Sequence, residues 1–254
     1  MTKPKIIVAL PAYNEALNLG ALLDSFENVL GSILGYGFDR LYVVVDDGSA
    51  DKTQKILREY ADKIPLTVLV HERNQGLGPT IRDALRRATE EARQGDIVIT
   101  MDADNTHPPE VIRDLVKVVS TTAEVVVASR YKGGAEVGVP LKRRILSKVV
   151  NLLIRNLCGI SILDCTSGYR AYRLEVLKRL SPLESKGFEV TAEILIRISS
   201  HKPSCKIEEI PLTLYYDRKK GSSKIHVGQT IKAYIKLLWK TRVLSSERRK
   251  TEKC

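Results

Sequence analysis

One tryptophan and three phenylalanines are all that the chain holds of those two rings. Proteins that track nucleic acid stack bases on such rings, and no RNA- or DNA-binding motif is present. A nucleic-acid-binding module is therefore disfavoured, and no nucleic-acid partner is expected. Cysteine is scarce as well. Cys158, Cys165, Cys205 and Cys254 make no C-x-x-C pair and belong to no His–Cys cluster. Zinc and disulfide frameworks are both poorly supported, which points to reduced thiols in a cytosolic protein. No 18-residue apolar run exists. The longest candidate, residues 149–163, is broken by Arg155 and Asn156, so no transmembrane helix is expected. The first four residues run straight into an apolar strand that is too short for a signal peptide. There is no G-x-G-x-x-G, no Walker sequence, no internal repeat and no low-complexity segment, so dinucleotide-binding and P-loop readings fall away.

What is present is enough for one large α/β domain or two small ones. The chain has 254 residues, 43% of them hydrophobic, an ordinary share for a real core. The net charge is +11, unevenly placed. Residues 217–254 hold twelve Lys or Arg against three Asp or Glu. A second cluster, Lys142, Arg143, Arg144, Lys148 and Arg155, has no acidic residue among it. Such patches attract polyanions, whether anionic lipid, phosphate or nucleic acid, although residues 247–254 read best as a frayed, solvated tail.

The first half alternates two periodicities. Residues 5–10, 41–45, 66–70, 97–101 and 125–128 read as buried strands. Residues 16–30, 51–61, 80–93 and 110–120 read as amphipathic helices. Asp51 with Gln54 looks like a capping box, and Pro108-Pro109 suits a helix's first turn. This order predicts an α/β fold with a mostly parallel sheet and helices on both faces. In the second half, 142–157 reads as a basic amphipathic helix and 166–173 as a turn-rich polar segment. Residues 192–200 read as a helix, 205–215 as a strand and 225–243 as a helix. In that last helix Ile231, Tyr234, Ile235 and Leu238 share one face, and Lys232, Lys236 and Lys240 lie together on another.

Open α/β sheets bind ligands at the carboxyl ends of their strands, and four polar motifs fall there. They are Pro11-Ala12-Tyr13-Asn14-Glu15, Asp46-Asp47-Gly48-Ser49, Asn74-Gln75-Gly76-Leu77-Gly78 and Asp102-Ala103-Asp104. Each alone is weak, because acidic loop residues often only cap helices. Asp102 and Asp104 can converge on one hard cation, which would bridge a diphosphate and neutralise its departing charge. The Asp46-Asp47 pair offers an acceptor for a base N–H or a ribose hydroxyl.

These motifs resemble the family 2 glycosyltransferases of GT-A fold. Further downstream, His107-Pro108-Pro109-Glu110, Ser129-Arg130-Tyr131, Arg143-Arg144-Ile145-Leu146-Ser147, Thr166-Ser167-Gly168-Tyr169-Arg170 and Gly221-Ser222-Ser223-Lys224 resemble the dolichol-phosphate mannose synthases. The resemblance covers roughly residues 6–240. It implies a single GT-A domain over 1–240, with a nucleotide-binding part to about 130, an acceptor-binding part over 131–240 and a basic tail at 241–254. Pro11, Tyr13, Glu15, Val44 and Asp46 would hold the nucleoside. Asp102, Ala103 and Asp104 would face the diphosphate and a Mg²⁺ or Mn²⁺ ion. Arg130, Arg143 and Ser147 would meet the acceptor phosphate, with Asp104, Arg130 and Arg143 as the catalytic set. Arg218 and Lys224 would close over the phosphates. Members with a glutamine two residues after the second aspartate use it on the metal, and Thr106 stands there instead.

The resemblance further implies transfer of mannose from GDP-mannose to dolichyl or polyprenyl phosphate, with inversion. A UDP-sugar donor, giving a polyprenyl-phosphate glucose or N-acetylhexosamine, remains open. The Q-x-x-R-W signature of polysaccharide transferases is absent, and the intact acidic pair argues against a silent regulatory subunit. Some members carry C-terminal membrane spans, which this sequence does not contain. The expected location is peripheral, on the cytoplasmic face of a membrane, through residues 141–157 or 225–243 or an anchoring subunit.

Overall fold

The computed structural model describes residues 3–34, 37–200, 204–221 and 227–251. Lys224 lies outside the described residues. Nine strands and eight α-helices are described: β1 (Lys5–Ala12), α1 (Leu19–Leu34), β2 (Asp39–Asp46), α2 (Thr53–Ala61), β3 (Leu66–Val70), α3 (Leu77–Glu91), β4 (Ile97–Thr100), α4 (Ile112–Thr121), β5 (Val125–Ser129), β6 (Ala135–Val137), α5 (Leu141–Cys158), β7 (Arg170–Arg173), α6 (Leu174–Lys178), α7 (Val190–Ser199), β8 (Ile207–Pro211), β9 (Thr213–Tyr215) and α8 (Val227–Thr251). The main sheet runs β3-β2-β1-β4-β7-β5-β8, and β6 pairs with β9 in a small second sheet. All main-sheet pairings are parallel except those of β7, which is antiparallel to both β4 and β5.

Strand alternation sorts the core into layers. Ile6, Val8 and Leu10 of β1 face one side, where α1, α2 and α4 supply Leu22, Phe26, Leu57 and Leu115. Ile7 and Ala9 face the other, against Ile81 and Leu85 of α3 and Val190 and Ile194 of α7. A third cluster joins Val150 and Ile154 of α5 to Leu195 and Ile196 of α7 and to Tyr234 and Leu238 of α8. Helix α7 therefore lies between two layers. Its run Val190–Ile196 is wholly buried, as its apolar sequence on nearly every side requires.

The structure corrects several expectations. Residues 166–173 are not all turn: 170–173 form β7, an interior strand between β4 and β5. Its sequence, RAYR, conceals a strand, because Arg170 is 1% exposed and spends its guanidinium on Thr191 O and Cys165 O at 2.7 and 2.8 Å. Residues 205–215 divide at Leu212 into β8 and β9, which serve different sheets. Asp51 and Gln54 make no capping box. Helix α2 is preceded by Lys52, with no side-chain cap. Asp51 instead accepts from the Thr53 N–H at 2.9 Å and the Ala16 N–H at 3.1 Å, tying the loops after β1 and β2 together. Helix α8 crosses residue 240 without a break. Tyr234 and Leu238 pack inward, while Ile231, Ile235 and Trp239 are exposed, so the four residues expected on one face divide between two.

Candidate active site

One cavity of about 940 Å³ opens along the carboxyl ends of β1 and β4 and is closed on the far side by α5, the start of α7 and α8. Its near wall begins with Pro11, Ala12 and Tyr13 at the end of β1 and with Glu15, which is 6% exposed and accepts from Asn18 Nδ2 at 2.7 Å. Asn14 has φ 50° and Asn105 has φ 63°, a left-handed conformation that asparagine tolerates better than most residues. Both turns lie in motif loops, and Asn105 Nδ2 donates to Asn18 O at 3.0 Å, linking the two.

The floor holds Asp102, Ala103 and Asp104. Asp104 Oδ1 accepts from the Thr106 hydroxyl at 2.7 Å, and Oδ2 meets Lys219 Nζ at 2.5 Å. Burial works against ionising Asp104, but Lys219 and the Thr106 hydroxyl outweigh it and hold its carboxyl below the usual range. Asp102 is shifted the other way. Burial raises it, His107 pulls against that, and the neighbouring Asp104 charge adds to the rise. Burial likewise lowers Lys219, but Asp104 prevails and keeps the ammonium charged.

The second aspartate of the β2 motif has a structural task. Asp47 receives the backbone N–H groups of Gln75 and Gly76 at 2.8 and 2.9 Å and meets His71 Nδ1 at 2.7 Å, which fixes the glycine loop. That loop needs its glycines for close approach. A Cβ at Gly78 would lie 2.0 Å from Ser185 O, and one at Gly76, where φ is +95°, 2.7 Å from Lys186 O. The glycines thus let residues 185–189 close the cavity. Asp46 is fully buried beside Ala12 in the sheet. Its Oδ1 accepts from the Ser49 hydroxyl, and its Oδ2 has no hydrogen-bond partner.

On the opposite wall, Arg130 forks onto Asp164, with Nε and Nη2 at 2.8 and 2.7 Å, and donates to Thr166 Oγ1 at 2.8 Å and Ser147 Oγ at 3.2 Å. Burial would lower the Arg130 pKa, but the Asp164 charge raises it further, and the same pairing overcomes burial to hold Asp164 low. Arg143 donates to Tyr216 OH at 2.6 Å.

Of the residues singled out in the sequence, the cavity brings together Pro11, Tyr13, Glu15, Asp102, Ala103, Asp104, Thr106, Arg130, Arg143 and Ser147. Val44 and Asp46 are not among them: both belong to β2 and are 0% exposed. Arg218 is not among them either: its guanidinium stacks 3.9 Å from the Tyr215 ring, and it is Lys219, one residue on, that enters the cavity. Lys219, Asp164, Tyr216 and Glu189 went unnoticed in the sequence. Only the position of Lys219 beside Gly221-Ser222-Ser223-Lys224 offers a signal, since Asp164 and Tyr216 depend on partners distant in sequence and the local turn around Glu189 carries no motif.

A sheet that delivers an acidic pair and arginines into one cavity at its strand ends defines an α/β transferase of GT-A type. Solved structures share the fold: glucosyl-3-phosphoglycerate synthase from Mycobacterium tuberculosis, in complex with Mn²⁺, uridine diphosphate and glucosyl-3-phosphoglycerate, superposes with a TM-score of 0.65 at 22% identity, covering 96% of this chain and 79% of that one. The model of glycosyl transferase family 2 matches residues 7–181, and the chain belongs to that family. A dolichol-phosphate mannosyltransferase of Pyrococcus furiosus is 34% identical over 93% of this chain, which spans 63% of that protein's length. A polyprenol monophosphomannose synthase of Mycolicibacterium smegmatis is 33% identical over 92% of this chain and 85% of its own.

Proposed function

We propose that this glycosyltransferase moves mannose from GDP-mannose to dolichyl or polyprenyl phosphate with inversion at the anomeric carbon. The observation that carries the reading is that Asp102 and Asp104 share one cavity with Arg143 and Ser147, so two anionic substrates have partners in a single space. Relatives named for mannosyl transfer to such lipids support the choice of sugar and acceptor.

The acidic pair fits a Mg²⁺ or Mn²⁺ ion. Among the described residues no three such ligands converge, and Mg²⁺ in phosphate sites takes one or two carboxylates and completes its shell with substrate oxygens and water. Asp104 already holds a cation, the Lys219 ammonium. Bound there, the ion would neutralise the leaving diphosphate. The acceptor phosphate is an anion at neutral pH and requires no general base. Arg143 draws it in and fixes it in line with the anomeric carbon, where positioning lowers the barrier. Its planar fork can grip phosphate through two donors. Asp164 locks Arg130, so Arg130 supports Ser147 and the cavity wall with a charge that is already balanced.

Among the described residues no helix is long and apolar enough to cross a membrane. Leu141, Ile145, Val149, Leu152 and Leu157 are exposed along α5 beside Lys142 and Lys148, and α8 exposes Ile231, Ile235 and Trp239 beside its own lysines. Such faces suit interfacial docking, consistent with a peripheral enzyme on the cytoplasmic face of a membrane, alone or with an anchoring subunit. Steady-state kinetics on two variants test the assignment of sides. Arg143→Ala should raise the lipid-phosphate requirement and lower turnover about 10²- to 10³-fold, with calorimetric GDP affinity nearly unchanged. Asp104→Ala should abolish turnover in a folded protein. Equal loss of GDP affinity in Arg143→Ala would move Arg143 to the donor side.

A further inference from the structure

Glu189 opens helix α7, is 6% exposed and lines the cavity. Its Oε1 accepts from the backbone N–H groups of Lys186 and Gly187, both at 3.1 Å, while its Oε2 has no hydrogen-bond partner. Gly187 leaves that oxygen uncovered, since a Cβ there would lie 2.8 Å from it. Buried polar atoms without partners are rare in folded proteins. One that faces a substrate cavity needs a donor from the ligand or from water.

We infer that Glu189 Oε2 accepts a hydrogen bond from a hydroxyl of the donor's sugar, making Glu189 a specificity-determining residue. The inference rests on reading the donor as a nucleotide sugar. The substrates offer few suitable groups. Phosphates are anionic and would be repelled by the carboxylate, and an isoprenoid chain has no donor. On the proposed reading, the nucleoside's own donors are met by the motif at the end of β1. The sugar must lie between the acidic pair and the acceptor arginine, and the start of α7 reaches that region. A Cβ at Gly168 would lie 3.5 Å from Asp102 Oδ1 and 3.6 Å from Thr191 Cγ2, so the first turn of α7 and Asp102 flank the same glycine.

The test is calorimetric binding of GDP and of GDP-mannose, with Mn²⁺, to the wild type and to Glu189→Gln. Glutamine keeps an acceptor for the Lys186 and Gly187 amides but removes the charge. GDP affinity should stay within about twofold. GDP-mannose affinity should fall roughly ten- to a hundredfold, the loss expected for a hydrogen bond to a charged group. A monodeoxy donor lacking the contacted hydroxyl should bind the wild type correspondingly worse and Glu189→Gln no worse. Equal losses for GDP and GDP-mannose would overturn the inference in favour of a structural or nucleoside role. Unchanged affinity for both would leave Oε2 to water and overturn it as well. If the wild type binds no nucleotide sugar, the donor reading itself fails. If it binds one and Glu189→Gln binds it equally, only the role of Glu189 fails.

Discussion

At the residue scale, the cavity wall around Ser147 depends on a buried charge pair. Asp164 is 0% exposed and takes two guanidinium contacts and the backbone N–H of Arg130. Removing one partner of such a pair costs about 3–5 kcal/mol, because the other charge is left buried. Glu136, 3.4 Å from Arg130 Nη1, compensates in part, so Asp164→Asn should cost about 3 kcal/mol, the low end of that range. In a chain of this size that lowers the melting temperature by roughly 6–12 °C. The sign with pH follows from the depressed Asp164 pKa. Its contribution is fully present above the ordinary carboxylate value of about 4 and is lost as pH falls through the folded value below it. Melting curves at pH 7 and pH 3 should therefore show a gap between wild type and variant that narrows in acid. Equal melting at pH 7 would show that the pair adds nothing.

At the scale of elements, α5 and α8 matter because each presents one face to the core and another outward. On α5, Val150 and Ile154 are buried, whereas Ile145, Val149 and Leu152 are exposed beside the exposed Lys142 and Lys148. Basic residues at an anionic bilayer contribute about 1 kcal/mol each. Flotation with anionic vesicles at low salt should show binding that weakens with salt and falls at least about tenfold in Lys142→Glu/Lys148→Glu. Arg144 is left intact because its Nε lies 3.3 Å from Glu136 Oε2. Binding that is indifferent to both salt and charge reversal would rule out this face. The existence of α5 was legible in the sequence, as were the five strands of the first half, because their apolar residues recur with clear periods. Strand β7 was not, since a four-residue strand carrying two arginines has no apolar alternation and depends on Arg170 finding backbone carbonyls from two other segments. The glycines at 76 and 78 were visible, but their purpose was not, because the backbone they admit lies more than a hundred residues away.

At the scale of the whole molecule, the parallel half of the sheet supplies the acidic pair, and the segments after β5 supply the arginines. The cavity exists where the two meet. The motifs Pro11–Glu15 and Asp102–Asp104 were legible because each lies at the end of a strand that is apolar in sequence. The residues of the opposite wall were legible only by resemblance. Of the residues that the resemblance names, Arg143 and Ser147 line the cavity, while in the turn at 218–219 it is Lys219 that does so. The resemblance gives no signal for Asp164, whose partner Arg130 lies 34 residues away, or for Glu189. The central claim concerns what the joined halves do to their two substrates. The most direct measurement is mass spectrometry of the lipid product after purified protein is incubated with polyprenyl phosphate, Mg²⁺ or Mn²⁺ and either GDP-mannose or a panel of UDP-sugars. The account predicts polyprenyl phosphate carrying one hexose, formed from GDP-mannose only and lost in excess chelator. A glycolipid formed only from a UDP-sugar, or undiminished product in chelator, would contradict it.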